Sequence, residues 1–451
     1  MTYGYQVEDQ YKHNWKKAID LIAAVPGVNT VRIYNVNPAI NAGGLSVNTT
    51  YDQFMQYMQS KGLYVVVPLT PPGFGPWSNF PLNRAGLPPL NSTNTCYPSA
   101  LLSFAQSVIN IFSRYTNTLT YIIANEVMNE DKTWAAAPCV KAFARDVKAY
   151  MNSCSHSLRK VPLTYSAADT PSNKGSKSSD EVDRLKAEYL SCAPPASIDI
   201  MGLNIYRWCS DHSTFQSVYS KLQAQLSNLS VPVIMTEFDC ANFYYGKTKG
   251  QRLWKNMEVL LGNDMAPVFS GGTAYSYGVT GGASFAFFLG GGMDINGSPG
   301  YNKSCGFPNN TCGLDNYAGA LGRSKPPPEV PVGSNVCQWK PANYSRVPPA
   351  CPDPSTLPYP VDDVPATRQD ADGYIHIQCP KRSLTKYEEV VNNCEEPYSP
   401  DSPGEDFFKS LTFKAIAAGG GGLIFLGVLF WCCSRKSQKS SEPLPYSAID
   451  G

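Results

Sequence analysis

Two glutamates, Glu126 and Glu237, each stand at the end of an apolar run of the sequence. Glu126 ends the run Ile-Ile-Ala-Asn-Glu, and Glu237 ends the run Val-Ile-Met-Thr-Glu. Chemistry at a glycosidic bond needs two such carboxyl groups, one protonated and one ionised. Burial against apolar neighbours raises the pKa of one carboxyl, while hydrogen-bond donors keep another ionised. The pair therefore indicates acid–base chemistry on a carbohydrate, with two salt-bridged strand ends as the alternative interpretation.

Periodic patterns between about residues 14 and 280 predict the elements that carry these glutamates. Apolar runs rich in β-branched residues alternate with stretches in which apolar residues recur at helical spacing, as in 14–24. This order is typical of a parallel α/β architecture, and nearly continuous apolar runs fit strands buried on both faces. The predicted strands are 28–34, 63–69, 121–124, 161–165, 198–205, 231–236 and 268–277.

These strands number one fewer than the eight of a closed (β/α)8 TIM barrel. Because the chain opens with a loop and a helix, we expect the first strand to precede Met1 and to be missing from this sequence. Glu126 and Glu237 would then end the fourth and seventh strands, at the face where barrel enzymes carry their active sites. A doubly wound open sheet is the alternative, although no Gly-rich dinucleotide fingerprint follows any strand.

The composition argues against several other classes of function. With 37 Lys and Arg against 36 Asp and Glu, the net charge is +1, which gives no cationic excess for binding nucleic acid. The four histidines are isolated from one another along the chain, so a metal site built from histidines is not expected. We therefore expect no cofactor, no metal and no nucleic-acid partner, while the oligomeric state stays open.

The composition divides the chain into four predicted parts. The catalytic barrel covers 1–322, and a Pro/Cys-rich stalk or small disulfide module covers 323–410. A transmembrane helix is expected over 411–434, because residues 415–433 carry no charge and span a bilayer at about 1.5 Å per residue. Basic residues follow this run, which places the tail 435–451 in the cytoplasm and the barrel outside the cell. The predicted location is the plasma membrane, crossed once.

Cysteine and proline usage agrees with an extracellular location. The chain has 14 Cys and 37 Pro, which is typical of an oxidising compartment. We accordingly expect disulfides and a glycoprotein, and we expect that a signal peptide is missing from this chain, since none is visible after Met1. The pairing of the stalk cysteines stays open; they are Cys337, Cys351, Cys379 and Cys394. The glycosylation sequons all precede the predicted span and lie at Asn48, Asn91, Asn228, Asn296, Asn302, Asn309 and Asn343.

Several segments, taken in order, resemble the β-1,3-glucanosyltransferases of glycoside hydrolase family 72. The resemblance covers about residues 14–280. The segments are NTVRIY at 29–34, ANEVMN at 124–129, AAPCVKAFARDVKAY at 136–150, YSAAD at 165–169, GLNIYRWC at 202–209, VPVIMTEFDCAN at 231–242 and MAPVFSGGTAYSY at 265–277. Their combination and order are specific, although a single segment would be weak support.

The resemblance implies a (β/α)8 barrel with a retaining mechanism that acts on β-1,3-glucan as donor and acceptor. It makes Glu126 the general acid/base and Glu237 the nucleophile, with Asn125 in contact with the sugar 2-hydroxyl. The residues that would line the donor site are Tyr34, Tyr206 and Tyr275. The resemblance also supports a disulfide between Cys209 and Cys240, which follow neighbouring predicted strands. Candidates for stacking against an acceptor sugar are Trp77, Trp134, Trp208, Tyr244 and Tyr245.

The sequence also departs from the family pattern at positions near the expected site. Leu69 ends a strand that usually carries an Asp, Ser276 replaces a Glu between two tyrosines, and Asp239 replaces a Gly. Three interpretations therefore stand: a membrane-tethered glucanosyltransferase, an endo-β-1,3-glucanase on the same fold, and an inactive glucan-binding surface protein. Retention of both glutamates favours an enzyme.

Overall fold

The described residues of the computed structural model form a parallel sheet whose eight strands follow one another in chain order. The structure describes residues 2–3, 6–34, 36, 38, 51–70, 97, 99–128, 136–169, 179–206, 219–239, 254–277, 313–323 and 357. Every strand pairs in parallel with the next one, from the first to the eighth. This order never reverses, as it would in a doubly wound sheet, and is that of a (β/α)8 barrel.

Helices separate the strands along the described part of the chain. The strands are β1 (Thr2–Tyr3), β2 (Thr30–Ile33), β3 (Tyr64–Pro68), β4 (Thr118–Asn125), β5 (Leu163–Ala167), β6 (Ile200–Ile205), β7 (Val233–Phe238) and β8 (Phe269–Ala274). The helices are α1 (Lys12–Ala23), α2 (Asp52–Ser60), α3 (Ser99–Phe112), α4 (Ala137–Ser153), α5 (Ser179–Ser191), α6 (Ser220–Leu226), α7 (Lys255–Leu260) and α8 (Gly313–Arg323). Each of the seven strands predicted from the sequence overlaps an observed one, from β2 to β8.

The prediction that the first strand is missing was wrong. Thr2 pairs in register with Arg32 and Tyr3 pairs with Ile33, which adds β1 to the edge of β2. The side chain of Tyr3 is buried, and its ring packs against Tyr277 beyond β8, with 5.7 Å between ring centroids. A strand of two residues has no periodicity, so the sequence pattern could not reveal it. It is defined by its pairing with β2 and by the contact with Tyr277.

The core forms where the buried faces of the helices cover the sheet. In α1 the residues Trp15, Ala18, Ile19 and Ile22 are buried and recur at the spacing of one helix face. Strand β5 is buried along its whole length, as expected for a strand between barrel interior and helices. The fold thus buries the strands on both sides and leaves their carboxyl ends to carry function.

Helices α4 and α5 are held together by a buried cation. Lys141 of α4 is buried, and its Nζ donates to the carbonyl oxygen of Tyr189 at 2.9 Å, near the end of α5. The last carbonyls of a helix lack partners within the helix, so an ammonium group there stabilises the helix end. Cys139, Cys154 and Cys192, which lie on or after these two helices, are disulfide-bonded.

Much of the chain after β8 lies outside the described residues. Among the helices that the structure describes, none is both long and apolar enough to cross a bilayer. The predicted transmembrane helix 411–434 and the tail 435–451 lie outside the described residues. The same holds for the stalk 323–410 apart from Arg323 and Leu357, whose carbonyl oxygen accepts a hydrogen bond from Arg145 at 3.1 Å.

Candidate active site

The polar residues at the carboxyl ends of six strands converge on one face of the barrel. The strands present mostly apolar, buried side chains along their length and polar ones at or just after this end. Parallel strands all end at the same face, so residues far apart in the sequence become neighbours. The converging residues are Arg32 and Tyr34 at β2, Asn125 and Glu126 at β4, Ser166 at β5, Asn204 and Tyr206 at β6, Thr236 and Glu237 at β7, and Tyr275 at β8.

Glu237 receives hydrogen-bond donors on both oxygens of its carboxylate. Tyr34 donates its hydroxyl to Oε1 at 2.7 Å, and Arg32 Nη1 forms an ion pair with the same oxygen at 3.0 Å. The hydroxyl of Tyr206 donates to Oε2. Glu237 is only 5% exposed, and a buried carboxylate is stable only when such charge-assisted bonds replace its water. This environment suits an ionised carboxylate that is held in one orientation.

The tyrosines around Glu237 are protonated hydrogen-bond donors. Burial raises the pKa of Tyr34 and of Tyr206 well above the ordinary value, and the nearby negative charge of Glu237 raises both further. Burial likewise raises the pKa of Tyr275. The Tyr275 ring meets those of Tyr34 and Tyr206 edge-on, at centroid distances of 6.0 Å and 6.3 Å. The three rings form an aromatic wall beside the carboxylate.

Glu126 has a different electrostatic environment from that of Glu237. Burial raises its pKa to about 7, and the negative charge of Glu237 contributes in the same direction. A hydrogen bond from Asn204 Nδ2 to Oε1, at 2.7 Å, lowers the pKa in part. Burial and the charge of Glu237 thus favour the protonated form of Glu126, which is the form that a general acid requires.

The backbone turns sharply at the residue that carries the raised pKa. Glu126 has φ of +55°, in the left-handed region that residues other than glycine rarely adopt. Its backbone N–H donates to the carbonyl oxygen of Ser166 at 2.7 Å, which holds this turn against β5. Strain of this kind persists only where surrounding structure fixes it, and it concentrates at functional sites.

Arg32 was not among the residues that the sequence predicted, yet it connects the two halves of the site. Its guanidinium is 2% exposed and donates from Nη2 to Asn125 Oδ1 at 2.8 Å and from Nη1 to the Thr236 carbonyl oxygen at 3.0 Å. The same group lies over the Tyr34 ring at 4.5 Å from its centroid. An arginine inside the apolar run Val-Arg-Ile-Tyr is the signal by which the sequence could have revealed it.

Asn204 was also missed by the sequence analysis, although the quoted segment GLNIY contains it. Its side chain is fully buried between the two glutamate-bearing strands. Its Oδ1 accepts from Ser166 Oγ at 2.8 Å and from Thr236 Oγ1 at 2.9 Å. Its Nδ2 donates to Glu126, as described above, and to Asn125 Oδ1 at 3.2 Å. A short amide within an apolar strand is a weaker signal than an arginine, because asparagine also caps many ordinary turns.

The structure brings together all six residues that the sequence predicted for catalysis and substrate binding. Tyr34, Tyr206 and Glu237 are in direct contact, Tyr275 packs on both tyrosine rings, and Asn125 and Glu126 join through Arg32 and Asn204. The predicted disulfide partners Cys209 and Cys240 lie outside the described residues, as do the five aromatic candidates for acceptor stacking. Within the described part of the chain, no cluster of His, Cys, Asp or Glu could hold a metal ion.

Comparison with known proteins shows which family carries this sequence pattern. A family model described as Glucanosyltransferase, glycoside hydrolase family 72, matches residues 9–282. The 1,3-beta-glucanosyltransferase GAS5 of Saccharomyces cerevisiae is 31% identical over 253 residues, which are 56% of this chain and 45% of that protein. The 1,3-beta-glucanosyltransferase gas4 of Schizosaccharomyces pombe is 32% identical over 265 residues, 58% of this chain and 50% of that protein. The chain thus spans about half the length of these curated relatives.

A solved structure also shares the fold. Saccharomyces cerevisiae Gas2p, as a mutant in complex with laminaritetraose and laminaripentaose, superposes with a TM-score of 0.54 at 25% identity. The similarity covers 72% of this chain and 63% of that one. Both Glu126 and Glu237 fall inside the segment matched by the family model, which exceeds half of the chain. The chain therefore belongs to the glucanosyltransferase family, glycoside hydrolase family 72.

Proposed function

We propose that this protein is a retaining transglycosylase that cleaves and rejoins β-1,3-glucan through a covalent glycosyl-enzyme. The observation that carries the proposal is the contrast between the two glutamates. Glu237 is held by Arg32, Tyr34 and Tyr206 as a carboxylate, while the pKa of Glu126 is raised to about 7. The donors around Glu237 favour the ionised form that can attack the sugar. Glu126 can give up a proton near the pH at which it titrates.

In the first step, a carboxylate oxygen of Glu237 forms a bond to the anomeric carbon of the donor sugar. The glycosidic bond breaks, and its oxygen leaves with the proton of Glu126. Tyr34, Tyr206 and Arg32 orient the carboxylate for this attack. The Asn125 amide lies beside Glu126 and suits the 2-hydroxyl of the same sugar.

In the second step, the ester bond to Glu237 breaks as a hydroxyl of an acceptor glucan attacks the anomeric carbon. Glu126, now a carboxylate, takes the proton of that hydroxyl, so both residues return to their starting states. Two displacements at one carbon retain the configuration. With water in place of the acceptor, the same groups would hydrolyse the glucan, so the choice depends on acceptor binding.

Membership of the family and the names of the relatives support β-1,3-glucan as donor and acceptor. Gas2p, which shares the fold, is named in complex with laminari-oligosaccharides. The departures from the family pattern leave both glutamates in place: Asp239 lies two residues after Glu237, Ser276 follows Tyr275, and both are buried. We expect these two substitutions to affect which glucans are preferred, because both glutamates are retained.

The same proposal includes where the enzyme works. A barrel outside the cell, joined by a stalk to a single span at 411–434, would act on surface or cell-wall glucan. The cysteine content and the sequons support an extracellular glycoprotein, and of the sequon residues Asn228 is exposed in the turn after α6. A disulfide between Cys209 and Cys240 belongs to this proposal as well.

The proposal is tested by incubating the full chain with reduced laminari-oligosaccharides and measuring product masses. Transfer yields products longer than the donor, whereas hydrolysis alone yields only shorter ones. Longer products are expected. Shorter products alone would replace the proposal by an endo-β-1,3-glucanase, and no products together with binding of the oligosaccharides would replace it by an inactive glucan-binding protein.

Two variants make the assay specific for this site. The double variant Glu126→Gln/Glu237→Gln should give no products, which excludes a contaminating glucanase. Asp20→Asn removes a carboxylate whose side chain is 38% exposed, near the end of α1, which leads into the amino end of β2, and should keep the wild-type product pattern. If the double variant and the control variant lost product formation to the same extent, the site at the carboxyl ends of the strands would not be the source of the activity.

A further inference from the structure

We propose that Asn204 is the positioning residue of the acid/base, in that it fixes which oxygen of Glu126 carries the catalytic proton. Asn204 is fully buried at β6 and touches neither the nucleophile nor the aromatic wall in the contacts that the structure gives it. It lies between β4 and β7 in the chain of contacts that joins the two glutamates. The inference rests on the proposed function for its mechanism, while its geometry stands alone.

The orientation of the Asn204 amide follows from its neighbours. Three donors surround one end of the amide: Ser166 Oγ at 2.8 Å, Thr236 Oγ1 at 2.9 Å and Arg32 Nη1 at 3.4 Å. An arginine cannot accept a hydrogen bond, so the amide oxygen must face this group. The NH2 end is thereby turned toward Asn125 and Glu126, and the two N–H bonds meet Asn125 Oδ1 and Glu126 Oε1.

This orientation determines the state of the Glu126 carboxyl. Oε1 accepts an N–H from Asn204 at 2.7 Å, so in the protonated carboxyl Oε1 is the carbonyl oxygen and the proton resides on Oε2. A proton on Oε1 would face the N–H and lose the hydrogen bond. Asn204 thus directs the acidic O–H to one side of the carboxyl and prevents the two oxygens from exchanging roles.

The same network orients Asn125. Its Oδ1 accepts from Arg32 Nη2 at 2.8 Å and from Asn204 Nδ2 at 3.2 Å, so the amide oxygen is engaged by two donors. The NH2 group of Asn125 then lies at the other end of the amide, away from these donors. Asn125 therefore presents its NH2 group, a hydrogen-bond donor, to a sugar hydroxyl.

Several charged and titratable groups influence Glu126, and Asn204 opposes the largest of them. Glu237 raises its pKa, while Arg32 and Lys186 lower it. Tyr165, Tyr206 and Tyr275 also interact with it electrostatically and remain protonated, because burial raises the pKa of each. The Asn204 hydrogen bond favours the charged form, so its removal should raise the pKa of Glu126.

The test is a carboxyl 13C NMR titration of the full chain labelled at glutamate, with the Glu126 resonance assigned from its loss in Glu126→Gln. In Asn204→Ala, the pKa of Glu126 should rise by about one unit, the size expected for one hydrogen bond to a carboxylate. Asn204→Asp keeps the shape of the side chain but replaces the N–H donor by a carboxyl oxygen, and should raise the pKa of Glu126 at least as far. The alkaline limb of kcat/KM should move with the pKa, and kcat should fall about 10- to 100-fold with a smaller change in KM.

Asn117→Ala provides the matched control. Asn117 is also buried, and its Nδ2 donates to the carbonyl oxygens of Met55 and Leu63, but it lies before the amino end of β4. This variant should lose stability without any shift of the Glu126 pKa. If both Asn204 variants kept the pKa of Glu126 and the alkaline limb within about 0.3 unit of the wild type, the inference would be overturned. Absence of glucan products from the wild type would instead overturn the proposed function, because the titration is readable without activity.

Discussion

The same strands form a buried polar network at one end of the barrel and line a largely apolar cavity elsewhere. At the carboxyl end, Arg32, Asn204 and Glu237 are at most 5% exposed and every one of them is in a hydrogen-bond or ion-pair network. A cavity of about 420 Å³ lies along β8 and beside the beginning of β2. Its walls are largely apolar and include Val66, Ile234, Leu260 and Leu321.

The comparison shows that the buried charges of this region are grouped in one network, where each has a partner. A buried charge without a partner is strongly destabilising, so the active end tolerates its charges only as a complete set. The cavity lacks packing contacts, which is a smaller cost that removes no charge partner. Arg32 contributes to both regions, since it lines the cavity and also pairs with Glu237. Changes at the active end should therefore alter activity, whereas changes at cavity residues outside that network, such as Val66, should alter only stability.

The largest effect is expected from Glu237→Gln. The amide is too weak a nucleophile to form the glycosyl-enzyme, so turnover should fall by about four orders of magnitude or more. Product release from laminari-oligosaccharides measures this loss, and the melting temperature shows whether the fold persists. Activity within tenfold of the wild type would remove Glu237 from the role of nucleophile.

Glu126→Gln should lower turnover by about 10²- to 10⁴-fold, because the leaving oxygen no longer receives a proton. The loss should be smaller for a donor whose leaving group is a good one, such as an aryl glycoside, since that group departs without protonation. Rates with both donors measure the difference. An equal loss for both would show that Glu126 does not act as the acid.

Arg32→Lys should lower kcat/KM by about 10²-fold while the charge is kept. A lysine has a single point of charge and cannot serve Glu237, Asn125 and the Thr236 carbonyl together, as the guanidinium does. The matched control is Arg114→Lys, where the arginine pairs with Asp52 at 41% and 45% exposure of the two side chains. That control should leave both kcat/KM and stability nearly unchanged. Similar results from both variants would contradict the role given to the buried network.

The contribution of Glu126 to the stability of the fold should fall as the pH rises from about 4.5 to about 7. Within this window the folded protein keeps the Glu126 proton that the unfolded chain has released, since the pKa of Glu126 is raised to about 7 from 4.5. Relative to Glu126→Gln, the free energy of unfolding should decline by about 3 kcal/mol across the window. Denaturant titrations of both proteins at several pH values measure the decline, and parallel curves would show that the carboxyl titrates normally in the fold.

The smallest effect is expected at the cavity. Val66→Ile adds one methylene to a side chain that lines it, and should raise the free energy of unfolding by about 0.5–1 kcal/mol without any change in activity. Val65→Ile, in the same strand, is the control, because Val65 is fully buried and does not line the cavity. It should be destabilising through overpacking. A gain in both variants would mean that cavity filling is not the cause.

The elements of the fold were largely readable from the sequence. Strand β3 is a nearly continuous apolar run, and α1 shows its buried face as a helical period, so the local pattern contained their identity. Strand β1 was not readable, because two residues have no period and its pairing with Arg32 and Ile33 is a long-range contact. The prediction that it was missing failed for this reason.

The candidate site was readable in part. The glutamates were visible because a carboxylate at the end of an apolar strand is unusual, and the tyrosines came from the resemblance to the family. Asn204 and Ser166 were not identified, since nothing in a single buried amide or hydroxyl says which distant groups will face it. Their importance arises from hydrogen bonds between strands that are far apart in the chain.

The sequence by itself determined the alternation of strands and helices and the placement of Glu126 and Glu237 at strand ends. Side-chain periodicity and residue chemistry are local properties, and they survive in the linear order of the chain. Only the tertiary structure decided that Arg32 pairs with Glu237, that Asn204 faces Glu126 and that burial raises the pKa of Glu126. Those properties depend on burial and on distances between strands, which exist only once the barrel has assembled.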